Sequence, residues 1–255
     1  MRLSRIWLVD FRSYRELELP LDEGLTAILG PNGVGKTNLL EAIGLLATLK
    51  SFRGSPNESL VRKGADRAIV RAIGERDGRE VLIELELAKG RTRAQVNRQK
   101  LSRTRDLLGA LRVTVFAPDD LALVKEGPAV RRELLDDLIV ALDPRTDQTL
   151  SDFERVLKQR NALLKAAPKT PDESTLATLD VWDMQFAQLG ESVLELRYDL
   201  LAALMPLVVD SYRRLAECDT EVVANYHPSW GERPLGDALA YVRDQDLRRR
   251  LSTVG

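Results

Sequence analysis

Leu25-Thr26-Ala27-Ile28-Leu29 runs directly into Gly30-Pro31-Asn32-Gly33-Val34-Gly35-Lys36-Thr37, and this stretch decides the fold. The first five residues have the apolar pattern of a short buried strand, and the next eight match G-x-x-x-x-G-K-[ST]. From about Lys36 onward, apolar residues recur every three or four positions, which predicts an amphipathic helix. Strand, glycine-rich loop and helix therefore follow one another in the order that a phosphate-binding P-loop requires.

Each residue type in this loop has a chemical reason to be there. Glycines let successive backbone N–H groups turn inward, and these donors, together with the positive end of the helix, hold nucleotide phosphates. Lys36 would contact the β- and γ-phosphates, and the hydroxyl of Thr37 would bind a bridging Mg²⁺. The predicted cofactor-binding residues are Gly30, Pro31, Asn32, Gly33, Val34, Gly35, Lys36 and Thr37, with Thr37 also the predicted metal ligand.

A hydrolase of this kind also needs a carboxylate for Mg²⁺, usually at the end of an apolar Walker B strand. Residues 113–120 and 132–137 come nearest to that pattern. In the first segment Pro118 would end the strand before the acidic residues, and in the second Asp136 and Asp137 lie within a helical period. The sequence therefore predicts nucleotide binding more strongly than hydrolysis, and we assign no catalytic residue.

The periodicity of the chain changes twice. The first ~120 residues are rich in strand patterns, with predicted strands at 2–9, 14–19, 25–29, 68–73, 81–87 and 111–116. Helical patterns then dominate, at 128–142, at 147–166 and from 176 to a break or kink at Pro206. Residues 220–226 are strand-like again, and a last helix is predicted at 235–251.

Composition excludes several classes of protein. The chain has 255 residues, 44% hydrophobic and 30% charged, which is typical of globular domains. No apolar run approaches the roughly 18 residues of a membrane span. The single cysteine, Cys218, cannot form an internal disulfide, and the single histidine, His227, argues against zinc chemistry. We expect a cytoplasmic protein.

Positive charge is concentrated in residues 89–112. This segment holds eight basic residues and one acidic residue, although the whole chain has a net charge of -1. Such a strand–turn–helix segment would bind nucleic acid phosphates without reading sequence, and an ordinary solvated basic face is the alternative. No aromatic residue lies among the charges, so base stacking is not predicted. The candidate DNA-binding residues are Arg91, Arg93, Arg98, Lys100, Arg103 and Arg105.

Four segments carry a family resemblance. They are Leu8-Val9-Asp10-Phe11-Arg12-Ser13-Tyr14, the P-loop continued to Ile43, Lys50-Ser51-Phe52-Arg53, and Phe116-Ala117-Pro118-Asp119-Asp120-Leu121 with Val124, Gly127, Pro128, Arg131, Arg132, Leu135 and Asp136. In these segments the chain resembles the RecF family of bacterial recombination mediators, ATPases related to SMC-type and ABC-type head domains. The resemblance covers essentially all 255 residues, and the fourth segment is its most specific part.

This resemblance implies an α/β fold: a P-loop ATPase lobe of the ABC/SMC type, with a mixed sheet and helices, plus an inserted α-helical lobe. Residues 1–120 would form the N-terminal part of the ATP-binding lobe, 121–218 the helical lobe, and 219–255 the start of the return to the ATP-binding lobe. In the family, the signature motif and the Walker B strand lie in the C-terminal third. We therefore expect a chain truncated before them.

The resemblance also implies an ATP-dependent DNA-binding protein of recombinational repair and replication, with ATP and Mg²⁺ as cofactors. ATP would close a homodimer on single-stranded or duplex DNA, and hydrolysis would reopen it. The turn at residues 11–14 would approach the adenine or ribose. Partners would be DNA, RecR and, as a further candidate, RecO, with no membrane.

Three other interpretations stay open at this point. One is a P-loop kinase acting on a small molecule. Another is an SMC-like tether, for which the helical insert of about 90 residues is too short to form an extended coiled-coil arm. The third is a non-catalytic nucleotide- or DNA-binding module.

Overall fold

The computed structural model describes residues 2–76, 78–168, 170–216 and 221–255. Cys218 lies outside these ranges. The chain forms two compact units: Met1–Arg131 with Ala141–Pro144, and Arg132–Val140 with Arg145–Gly255. Within the part of the chain described, no helix has the length and apolar character needed to cross a lipid bilayer.

A six-stranded sheet with the order β2-β1-β3-β4-β5-β6 forms the framework of the first unit. Its strands are β1 (Arg2–Phe11), β2 (Tyr14–Pro20), β3 (Arg67–Arg76), β4 (Arg79–Ala88), β5 (Arg91–Val96) and β6 (Gln99–Lys100). All five pairings are antiparallel, so the described strands do not themselves form a mixed sheet. Successive side chains alternate between the two faces, and one face supplies fully buried residues to the core, such as Ile6, Val70 and Leu85.

Helix α1 (Lys36–Thr48) contributes to the same core. Its residues Leu39, Leu45 and Leu46 belong to one hydrophobic cluster with the inward side chains of the sheet. Two further helices follow along the chain, the short α2 (Ala122–Lys125) and α3 (Pro128–Leu142). Helix α1 begins at the residue predicted from the sequence, which places the P-loop directly at its N-terminus.

Two predicted strands are wrong. Residues 25–29 and 111–116 have no regular secondary structure, and Leu25, Leu29 and Phe116 are 96%, 90% and 91% exposed. A short apolar segment becomes a strand only when a neighbouring strand supplies its hydrogen bonds. Among the residues with described backbone, none pairs with either segment.

The second unit is helical. It contains α4 (Asp147–Ala166), α5 (Glu173–Ala216) and α6 (Leu235–Arg249). Phe153 of α4 stacks on Phe186 of α5 with ring centroids 4.9 Å apart. Gly190 permits the close approach of α6, because a Cβ there would lie 2.3 Å from the side chain of Leu235. Of the predicted break or kink at Pro206, the break is wrong: a proline removes only one helical N–H bond, and α5 continues through it to Ala216.

A buried arginine joins the three helices of this unit. Arg160 of α4 is fully buried, and it donates to Asp183 of α5 at 2.6 Å and to Asp246 of α6 at 2.7 Å. Its Nη1 also donates to Ser252, and the side chain of Asn161 accepts from the backbone N–H of the same serine at 2.7 Å. These contacts hold the residues that follow α6 against α4.

The observed division differs from the predicted domain bounds. The first unit extends to Arg131 and not to residue 120. Residues 221–255 belong to the second unit, and 221–226 contain no strand. That residues 219–255 start a return to the ATP-binding lobe stays a prediction.

Candidate functional site: the P-loop and the basic sheet edge

The loop at residues 30–37 has the backbone geometry of a phosphate cradle. Gly33 and Gly35 have φ values of 85° and 110°, which residues with a side chain rarely adopt. Gly35 is the N-cap of α1, so the loop ends where the free N–H groups of the helix begin. This combination of turned backbone and helix N-terminus favours the binding of anions.

Lys36 and Thr37 occupy the first turn of α1. The ammonium of Lys36 donates to the carbonyl oxygens of Gly30 and Pro31, both at 2.7 Å. The Lys36 ammonium is therefore held by backbone oxygens of the P-loop itself. Thr37 is exposed at the same turn, where its hydroxyl can reach a ligand at the helix end.

The turn between β1 and β2 braces this loop. The hydroxyl of Tyr14 donates to the carbonyl of Gly35 at 3.1 Å, and the side-chain amide of Asn38 donates to Ser13 at 3.0 Å. A Cβ at Gly35 would lie 2.6 Å from the Ser13 hydroxyl, so only glycine fits there. The structure thus brings residues 11–14 to the P-loop. Their predicted approach to adenine or ribose stays a prediction.

A buried ion pair fixes α1 behind the loop. Arg12 Nε and Nη2 donate to the two carboxylate oxygens of Glu41 at 2.8 and 2.7 Å. Glu41 is fully buried, and Arg12 is mostly buried. Arg12 also donates to the hydroxyl of Ser55 at 2.6 Å and to the carbonyl of Ser59 at 3.2 Å. One guanidinium therefore connects the turn after β1, helix α1 and the loop that follows α1.

The surroundings keep Glu41 ionised. Burial alone would raise the pKa of this carboxyl, but the hydrogen bonds from Arg12 and Ser51 and the charges of Arg12 and Arg53 outweigh it. The pKa of Glu41 therefore lies below its ordinary value of 4.5. The Ser51 hydroxyl donates to Glu41 at 2.5 Å, so the carboxylate has partners from two chain segments, the turn after β1 and the loop after α1.

The two acidic segments considered for Mg²⁺ have structural partners instead. The carboxylate of Asp120 accepts from the backbone N–H of Ala117 at 2.7 Å. Asp136 accepts two hydrogen bonds from Arg197, both at 2.8 Å. The described ranges contain no group of three or more His, Cys, Asp or Glu side chains arranged to hold a metal ion.

The basic segment lies at one edge of the sheet. Arg91 and Arg93 are on β5, Lys100 is on β6, and Arg98 is in the tight turn between them. Arg103 and Arg105 follow at a single 3₁₀ turn (Thr104–Leu107), which replaces the predicted helix. The structure therefore brings all six candidate DNA-binding residues to one edge, which we call the basic edge.

Half of these cations have a local partner. Arg93 is 3.3 Å from Glu86, Arg103 is 3.5 Å from Asp106, and Arg105 also makes an interaction. Arg91, Arg98 and Lys100 are exposed and make no ion pair with the residues described. Their charge is therefore available to a polyanion, whereas the paired arginines would have to exchange partners.

Sequence reasoning missed the role of Arg12, Glu41 and Ser51. One signal was present, since Glu41 is a charged residue on the buried face of α1, between Leu39 and Ala42. A charge on a buried face requires a partner. The partner itself could not be named, because Arg12 is 29 positions away.

We predict that Glu41→Gln destabilises the first unit by about 3 kcal/mol, because it leaves the Arg12 guanidinium mostly buried without its counter-charge. Stability against urea measures this at pH 7. The pKa of Glu41 is lowered in the fold, so its contribution is fully present above pH 4.5 and is lost as the pH falls through that lowered pKa. The difference between wild type and variant should therefore shrink in acid.

Glu58→Gln is the matched control, since Glu58 is exposed and has no ion pair with a described residue. It should change stability by less than about 0.5 kcal/mol. Equal stability of the Glu41 and Glu58 variants at pH 7 would contradict the assigned role of the buried pair.

Comparison with known proteins gives one consistent result. A family model described as an AAA domain matches residues 5–161. The DNA replication and repair protein RecF of Streptomyces avermitilis is 48% identical over 269 residues, which cover 100% of this chain and 72% of that protein.

Solved structures agree. A structure of the recombination mediator protein RecF-ATPrS in the RecFOR pathway superposes with a TM-score of 0.89 and 28% identity, covering 99% of this chain and 70% of that one. A RecF-ATP structure gives a TM-score of 0.88 and 29% identity, covering 100% and 70%. The predicted fold class is confirmed. The chain belongs to the RecF family of DNA replication and repair proteins.

Proposed function

We propose that this chain is an ATP-dependent DNA-binding protein of recombinational DNA repair and replication. The observation that carries the proposal is the P-loop at residues 30–37, whose glycine conformations and position at the start of α1 form an anion cradle. Family membership supports it, since RecF has been solved as RecF-ATP. The chain spans about 72% of the length of its Streptomyces relative, so this proposal concerns the role of that larger protein as well.

The loop would bind ATP through its backbone and two side chains. N–H groups of residues 33–36 would donate to the phosphates, and Thr37 would be a ligand of Mg²⁺. Lys36 would exchange its two carbonyl partners, Gly30 and Pro31, for the β- and γ-phosphate oxygens.

The basic edge would bind the DNA backbone. Arg91, Arg98 and Lys100, which make no ion pair with the residues described, present their charge at the edge formed by β5 and β6. Phosphate contacts of this kind position a protein on DNA but do not read sequence, which suits both single-stranded and duplex DNA. We propose a location in the cytoplasm for this protein, which agrees with a DNA ligand.

ATP would act as a switch. A RecF protein has been solved as RecF-ATP in the RecFOR pathway. We propose that nucleotide occupies the P-loop of this chain and closes a homodimer on DNA. RecR, and as a further candidate RecO, would be protein partners of this state. The acidic residues Asp120 and Asp136 take no part in the proposal, because each is bound to neighbouring groups of its own unit.

We predict that Lys36→Ala weakens ATP binding about 100-fold, since it removes charged hydrogen bonds to two phosphates worth about 3 kcal/mol together. Calorimetric titration with ATP and Mg²⁺ measures the change. Lys63→Ala, at an exposed lysine outside the loop, is the control and should leave binding unchanged. Unchanged ATP affinity of the Lys36 variant would contradict the assignment of the site.

We predict that charge reversal of Arg91, Arg93 and Arg98 to glutamate lowers DNA affinity and reduces the slope of log K against log salt by about 1 per lost phosphate contact. Fluorescence anisotropy with a labelled oligonucleotide at several salt concentrations measures both quantities. ATP binding should be unaffected.

Reversal of Arg2, Arg15 and Lys63 is a matched control. Arg15 lies on β2, the strand at the opposite edge of the sheet, and Arg2 lies on the neighbouring strand β1. Arg2 is paired with Glu23 as Arg93 is with Glu86, so each set contains one paired arginine. Equal losses of DNA affinity in the two triple variants would reject the basic edge and indicate a general charge effect.

A further inference from the structure

A groove of about 600 Å³ lies beside the β5–β6 hairpin in the first unit. Apolar side chains, among them Val96, Leu101 and Leu108, form part of its lining. Two cations, Lys100 and Arg112, line it as well. A cavity of this size is in the range of small-ligand sites, and its mixture of apolar surface and positive charge fits an amphiphilic anion.

Arg112 was not among the candidate DNA-binding residues, yet the fold places it in the same groove as Lys100. Its Nη2 makes one long hydrogen bond, 3.4 Å, to the carbonyl of Leu142. A guanidinium has five N–H donors, so this contact orients Arg112 and leaves donors for a ligand. Lys100 is exposed on the short edge strand β6 and has no ion pair with a described residue.

The single acidic residue of the lining does not cancel this charge. Asp106 is 3.5 Å from Arg103, and it accepts hydrogen bonds from the Ser102 hydroxyl at 3.1 Å and from the Arg103 backbone N–H at 3.2 Å. Its carboxylate is therefore committed to its own 3₁₀ turn. The groove retains a positive potential from Lys100 and Arg112.

The far wall of the groove is closely packed. Gly109 has a φ of 80°, and a Cβ there would lie 2.6 Å from the ring of Pro144. The 108–112 segment lines the groove together with Val96 and Lys100. The two cations therefore come from two different segments, Lys100 from β6 and Arg112 from the residues that follow the 3₁₀ turn.

We infer that this groove holds the phosphodiester backbone of a DNA strand, with a phosphate bound by Lys100 and Arg112. The groove adjoins the basic edge, since Lys100 belongs to both. The described residues that line it include no aromatic side chain, so it would contact sugar and phosphate without stacking a base. This inference rests on the DNA binding proposed above and adds to it a defined anchoring site.

A double variant, Lys100→Gln with Arg112→Gln, tests the inference. We expect at least a 10-fold loss of affinity for a labelled single-stranded oligonucleotide at moderate salt, and a salt slope reduced by 1 to 2. ATP affinity should stay as in wild type. Arg15→Gln with Lys63→Gln removes the same charge elsewhere and should have little effect; all four side chains are exposed, so both variants should fold.

A second measurement separates phosphate contact from general charge. An oligonucleotide in which methylphosphonates replace the phosphates has a neutral backbone, so the groove variant and wild type should bind it equally. If the groove variant matches the control variant on ordinary DNA, the inference is overturned, while the Arg91, Arg93 and Arg98 triple variant still tests the basic edge.

Two more outcomes are diagnostic. Loss of ATP binding in the groove variant with DNA affinity retained would assign the groove to a free nucleotide and overturn the inference. If the wild-type chain binds no DNA under any of these salt conditions, the proposed function fails, and the inference fails with it.

Discussion

The ion pair between Arg12 and Glu41 is the constraint on which the nucleotide site depends. A carboxylate that is fully buried costs several kcal/mol unless every lone pair has a partner, and Arg12, Ser51 and Arg53 supply those partners. These partners come from the turn after β1 and from the loop after α1. The pair therefore fixes the axis of α1 relative to the sheet. Because the P-loop leads directly into the first turn of α1, its position is fixed as well.

Arginine is suited to this task because its guanidinium is a planar fork. Arg12 binds both oxygens of Glu41 and still reaches Ser55 and Ser59, which a lysine ammonium on a flexible stem could not do with the same geometry. The second unit uses the same chemistry at Arg160, which is fully buried between Asp183 and Asp246. In each unit, an arginine that is mostly or fully buried connects segments that are distant in sequence.

The parts of the fold that could be predicted from sequence are those set by local periodicity. Helix α1 begins at Lys36 as predicted, and α3 and α4 have the predicted bounds. Residues 25–29 and 111–116 were predicted as strands because their apolar pattern is that of strands, but a strand also needs a partner, which no local pattern shows. The pairs Arg12–Glu41 and Arg93–Glu86 could not be predicted either, because sequence alone does not give contacts between separate elements.

The same limit applies to the site. The P-loop residues could be named because the motif is contiguous, whereas Arg112 joins Lys100 only through the folded 108–112 segment. Charge counting located the basic segment but could not say that Arg93 and Arg103 have acidic partners, whereas Arg91 and Arg98 make no ion pair with a described residue. In the folded chain, some cations of the basic segment are therefore bound to acidic neighbours, and others are exposed and can bind a ligand.

The most direct test of the central claim is a titration of the ¹⁵N-labelled chain with ATP and Mg²⁺, followed by amide chemical shifts. The account predicts large shifts at Gly33, Gly35, Lys36 and Thr37, small shifts at β5 and β6, and little change at the loop with AMP, which lacks the β- and γ-phosphates. Amides of residues 30–37 that do not respond to ATP, or that respond equally to AMP, would contradict it.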